Sequence, residues 1–200
     1  MMKKKILKAL AVAVCAILLV VGSVAGTLAY LTSKTDPITN TFTAGNVSIT
    51  MTETVVDLYG TPVEDAQGNT STTTEGNRYK LIPGHEYTKN PTVKVAEGSE
   101  DCWIFVRIEN GLGADATITM DAANWTKISG TDVWYCNEVA KAGDSKTPFE
   151  KFTLSTTANV TDLAGKTIVV TAYAIQADKL TTATAAWEAA PDAWKTNNNG

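Results

Sequence analysis

Cys102-Trp103-Ile104-Phe105-Val106-Arg107-Ile108 is the stretch on which the fold is read. It is rich in β-branched and aromatic residues and holds no glycine or proline, which is strand composition. With a period of two, Ile104, Val106 and Ile108 fall on one face and Trp103, Phe105 and Arg107 on the other. The first face reads as core. The second carries two aromatics, so it needs a cover: a loop, a helix or another subunit.

Working outward, shorter runs repeat the signal. Val47, Ile49 and Met51 alternate with Ser48, Thr50 and Thr52. Thr92–Ala96, Ala116–Met120, Val133–Cys136, Phe149–Leu154 and Thr167–Ile175 complete the predicted strands. Pro62–Arg78 is polar and turn-rich, with Gly68-Asn69 and Gly76-Asn77, and reads as a long exposed loop or hairpin tip. Pro83-Gly84 and Glu97–Asp101 read as turns. Only Thr182–Ala190, Ala-rich and stopped by Pro191, reads as helix, with Trp187 and Trp194 to anchor it. Short strands with turns between them predict an all-β chain, an antiparallel jelly-roll-like β-sandwich with a short C-terminal helix.

The N-terminus carries a different message. Lys3, Lys4, Lys5 and Lys8 precede an apolar run, Ala9–Val21, and then small residues, Gly22–Ala29. That layout predicts a helical secretory signal peptide over residues 1–29, with Thr27 and Ala29 at the positions a signal peptidase reads and Tyr30 as the new N-terminus. Counted together, the apolar and small runs reach the roughly 20 residues of a bilayer span, so a retained anchor is the alternative. No basic stop-transfer cluster follows, which favours cleavage. Val14 is too large to precede a lipidated Cys15, which reads as apolar filler.

The whole chain has a net charge of −4, and the leader holds four lysines and no acid, so the exported part is more acidic still. Such a chain is a poor partner for nucleic acid or anionic lipid. Two cysteines remain after the leader, Cys102 and Cys136. In an exported chain they could form a disulfide; two buried free thiols are the other reading.

Three segments in order carry a resemblance: Gly26–Thr32 with Asn40–Ile49; Leu81-Ile82-Pro83-Gly84-His85-Glu86-Tyr87-Thr88-Lys89-Asn90-Pro91-Thr92-Val93 with the strand at Cys102; and Ala172–Ala177 with Trp187 beyond. Together they resemble the TasA/camelysin family of secreted fibre proteins, whose leaders are removed by a SipW-type signal peptidase. The resemblance implies three parts: a signal peptide over 1–29, an N-terminal segment over 30–44 and a sandwich domain over 45–200. It also implies assembly by donor-strand exchange, with Tyr30, Leu31 and Ile38 as the apolar contributors and Phe42 kept in its own subunit's core. The expected partners are other copies of the chain or related fibre subunits, in an extracellular matrix or at the cell surface. The middle of the donor segment, Thr32–Asp36, is polar, so the inserting stretch is weakly apolar and departs from an ideal donor strand.

Camelysin-like proteins carry a metallopeptidase label, which makes catalysis a third hypothesis. A zinc protease of that kind needs two histidines one helical turn apart with a glutamate between them. This chain has one histidine, His85, beside Glu86 just after the Pro83-Gly84 turn, where an exposed loop residue is expected. There is no G-x-S-x-G elbow, and Asp65–Asn69 lacks the alternating acids of a calcium loop. The sequence therefore predicts no enzyme, no metal and no cofactor. It leaves a fibre subunit as the first reading and a monomeric secreted binding module as the second.

Overall fold

The computed structural model describes residues 46–195. The leader, the candidate cleavage residues Thr27, Ala29 and Tyr30, and the candidate donor residues Leu31 and Ile38 lie outside the described residues.

The described chain is mostly antiparallel β-sheet with a few short helices. Its strands are β1 (Ile49–Thr54), β2 (Thr72–Thr73), β3 (Glu86–Thr88), β4 (Thr92–Val95), β5 (Cys102–Asn110), β6 (Ala116–Met120), β7 (Trp125–Lys127), β8 (Val133–Cys136), β9 (Ser145–Lys146), β10 (Phe149–Leu154) and β11 (Ile168–Gln176). The helices are α1 (Val160–Leu163), α2 (Ala183–Ala189) and α3 (Asp192–Lys195). The strands form three sheets, ordered β2-β1-β4-β9, β3-β10-β6 and β11-β5-β8-β7.

β5 is the axis of the fold. Its first seven residues are all buried, because it is flanked by β11 and β8 and covered on both faces. Ile104 and Val106 pack with Val93 and Val95 of β4, Trp125 of β7 and Phe149 of β10. This first core joins the two four-stranded sheets. Each such side chain, fully buried, stabilises the fold by about 1.5–3 kcal/mol.

The other face of β5 is covered as the aromatic pattern requires, and the cover is the chain's own tail. Trp103 and Phe105 pack with Val133, Ala183 and Ala186. The Phe105 and Trp187 rings lie 5.6 Å apart, and Trp103 Nε1–H donates to Leu180 O at 2.7 Å. Arg107 lies beneath Trp194: its guanidinium is 5.2 Å from the indole centroid, and Nη2–H donates to Trp194 O. Thr182 caps α2 by accepting from Ala185 N–H at 3.1 Å, which satisfies one otherwise unpaired donor.

A second core lies under the three-stranded sheet, where Tyr87, Phe152 and Leu154 meet Leu112 and Leu163. Tyr87 is wholly buried, and its hydroxyl donates to Lys80 O at 2.8 Å while accepting from Ile82 N–H at 2.7 Å. Both ends of this phenol are used to pin the Lys80–Ile82 segment before the turn.

Several short elements differ from expectation. β3, β7, β9, α1 and α3 have two to four residues each, too few for a periodic signal. The Pro62–Arg78 segment is indeed exposed for most of its length, but it carries β2 and two isolated bridges, Val56↔Pro62 and Glu64↔Thr70.

Candidate functional site

Among the described residues, the last long strand is open along one side. β11 pairs with β5 over all nine of its residues and, among the described residues, with no other strand. Gly111 N–H donates to Thr167 O at 2.9 Å, and Ala177 N–H donates to Asp101 O at 2.8 Å. These bonds set the phase of the ladder, in which bonded and non-bonded pairs alternate. The odd-numbered residues of β11 bond to β5. The N–H and C=O groups of Ile168, Val170, Ala172, Ala174 and Gln176 turn to the open side.

The side chains of four of these residues face the first core. Ile168, Val170, Ala172 and Ala174 pack against it yet stay half-buried, whereas Ile104 and Val106 of the neighbouring strand are wholly covered. Across the core the same condition holds on β1. Val47, Ile49 and Met51 pack against the core and are half-buried. β1 is joined to β2 only at Glu53 and Thr54, so Ile49–Thr52 is paired with β4 alone among the described residues. β1 and β11 thus bound a seam: two edges unpaired among the described residues, one from each four-stranded sheet, with half-buried core side chains between them. What the seam can do is accept an extended chain. A strand laid along β11 would satisfy its free backbone groups while alternate side chains enter the gap.

The other sequence-predicted residues are not gathered into a site. Cys102 and Cys136 are free thiols, both buried on the first-core face of β5 and β8. Burial pushes the Cys102 thiol up to about 11 and raises that of Cys136, the opposite of an activated nucleophile. His85, expected as an exposed loop residue, is half-buried. Its ring stands edge-on to Tyr87 at 4.6 Å, and Nε2 lies 2.8 Å from Tyr59 O. The histidine therefore ties the Leu58-Tyr59 turn to the β3 entry. Among the described residues, no three His, Cys, Asp or Glu side chains are placed to share a metal ion. Asp65 spends one carboxylate oxygen on its own loop, accepting from Gln67 N–H and Asn69 N–H at 2.9 Å each. Those backbone donors, Asn69 first, hold its carboxyl below the usual range.

One buried charge pair was missed in the sequence. Lys89 Nζ donates to Glu53 Oε2 at 2.8 Å, and Asn77 Nδ2 donates to Glu53 Oε1 at 3.0 Å. The pair links β1 to the residue after β3. Alternation along Ile49–Thr54 places Glu53 with the core-facing Ile49 and Met51, and that was the available signal.

In comparisons with protein-family models, with curated proteins and with solved structures, no match to this chain was found.

Proposed function

We propose that this chain is a secreted structural subunit of extracellular fibres or of a biofilm matrix. It would assemble head-to-tail after its leader is cut before Tyr30, with the freed N-terminal segment of one copy entering the seam of the next. In this reading the two four-stranded sheets are the layers of a jelly-roll-like sandwich with one strand position left open. The observation that carries the reading is the nine-residue edge of β11, unpaired among the described residues, above half-buried core side chains.

Tyr30–Ile38 is also nine residues long, so one extended segment matches the length of the edge. A contact between an N-terminal strand and a distant edge is heterologous and does not close, which yields filaments rather than dimers. The similarity of its motifs to TasA/camelysin proteins points the same way and suggests a SipW-type peptidase as processing partner. A monomeric secreted binding module is the second reading. The polar run Thr32–Asp36 favours it, because a weakly apolar segment contributes little core filling to a neighbour.

Electron microscopy of the chain starting at Tyr30, at rising concentration, tests the proposal. Filaments that disappear on deletion of Tyr30–Ile38, with the far-UV spectrum unchanged, are the expected result. A stable monomer at every concentration, with that segment cut readily by protease, would overturn it in favour of the binding module.

A further inference from the structure

Away from the seam's central residues, the second core opens to the surface in a cleft of about 880 Å³. Its floor is apolar: Leu112, Phe152 and Leu163 are buried side chains that also line it, with Tyr79, Leu81 and Ile168 beside them. Its rim is basic. Arg78 and Lys166 line it against one acid, Glu75, while Lys89, also in the lining, is neutralised by Glu53. This surplus of cations occurs on a chain whose net charge is −4. Arg78 and Lys166 make no ion pair among the described residues. Lys89 is nine-tenths buried and its charge is matched by Glu53, so it belongs to the wall and adds no net charge.

Cleft size and lining select a class of ligand. The volume suits one small molecule, and such sites combine a mainly apolar wall with a few fixed polar groups. The floor offers an apolar body a place out of water. The rim offers counter-charges to an anion and repels a cation. We propose that the cleft binds an amphipathic carboxylate, a single anionic head on an apolar chain or ring, with the head at Arg78 and Lys166 and the body over Phe152 and Leu163. The cleft shares Ile168 with one end of the seam, but its other lining residues lie outside the seam and the proposal does not depend on strand acceptance there.

Titration calorimetry with decanoate, below its micellar concentration, tests the inference on the chain starting at Tyr30, which retains every described element. The expected result is one decanoate per chain, with 1-decanol and acetate each bound at least about tenfold more weakly. The double variant Arg78→Ala/Lys166→Ala removes two exposed charges without touching a core, and should weaken decanoate about tenfold at unchanged thermal midpoint. Ala164→Trp places an indole in the cleft without altering charge and should block uptake. Absence of saturable binding, several molecules per chain, equal uptake of 1-decanol, or normal binding by both variants would each overturn the proposal. Uptake abolished by Ala172→Pro but not by Ala164→Trp would place the ligand in the seam, which also overturns it while leaving the assembly reading to its own microscopy test.

Discussion

Two proline substitutions at adjacent positions of β11 should have sharply different costs. Thr171 is odd-numbered and sits opposite Arg107, so its N–H is spent on β5. Its side chain is exposed, so Thr171→Pro loses little packing. It loses one ladder hydrogen bond and leaves a carbonyl of the buried strand without its donor, a cost of about 1–3 kcal/mol. The ring also presses toward β5, bringing the total to about 3 kcal/mol or more. Ala172 is even-numbered, and its N–H faces the open side. Ala172→Pro removes no bond to β5, and the residual φ constraint is partly offset by a stiffer unfolded chain, for a net change within about 1 kcal/mol. Urea unfolding followed by tryptophan fluorescence measures both, and equal m-values would show that the denatured states are comparable. Equal costs, or Ala172→Pro as the worse of the two, would refute the phase assigned to the ladder and with it the open edge. If the edge accepts a strand, Ala172→Pro should also abolish filaments while the monomer stays folded.

Other positions give independent tests. Gly60 has φ +78°, and a Cβ there would lie 2.8 Å from Tyr87 Cα, so Gly60→Ala should cost about 2–4 kcal/mol in chemical denaturation. Lys89→Met strands Glu53 as a buried unpaired charge and should cost about 3–5 kcal/mol, with much of it recovered in the Glu53→Met/Lys89→Met double variant measured by thermal unfolding. Trp187→Ala uncovers Phe105 and should cost about 2–3 kcal/mol, with a matching loss of near-UV circular dichroism. The Cys102 thiol is raised from 9.0 to about 11 by burial first and the nearby Asp101 second. The unfolded chain therefore ionises there before the native one. This contribution is fully present below pH 9 and is lost as pH rises toward 11, so denaturation midpoints should fall across that window and fall less in Cys102→Ala.

Much of the scaffold could be read from residue order, and the reasons are local. β6, β8 and β10 fall at the residues expected, because each is a run of at least four rich in β-branched or aromatic side chains. β5 is predicted down to its faces: Ile104, Val106 and Ile108 lie in the first core, while Trp103 and Phe105 lie under the tail. That the tail is the cover is foreshadowed by Trp187 and Trp194 in a segment otherwise made of small and polar residues. The seam could not be read. Ile168, Val170, Ala172 and Ala174 would look the same in a central strand, since edge status depends on which strands fail to arrive. The cleft could not be read either, because Arg78 and Lys166 are far apart in sequence and reach one cleft only in the fold.

The composition of β11 bears on what the seam is for. Four of the other five edge strands, β6 apart, are protected in ordinary ways. β2 and β9 have two residues each, β3 has three with Glu86 and Lys151 paired across it at 2.7 Å, and β7 has three with Lys127 at its end. Short length and charge are the usual means by which an edge avoids pairing with another chain. β11 has neither. Ile168-Val169-Val170-Thr171-Ala172-Tyr173-Ala174-Ile175-Gln176 holds no charge, no proline and no glycine over nine residues. Left bare, such an edge is an aggregation template, because any extended apolar segment can add to it. A chain that keeps it must cover it with something of suitable length. The candidates within this sequence are the residues that precede β1, either of the same copy or of the next. The two arrangements satisfy the same backbone groups and differ in concentration dependence alone: self-coverage gives a monomer at any dilution, and exchange gives assembly that grows with concentration. A dilution series therefore separates them even when their local structure is identical.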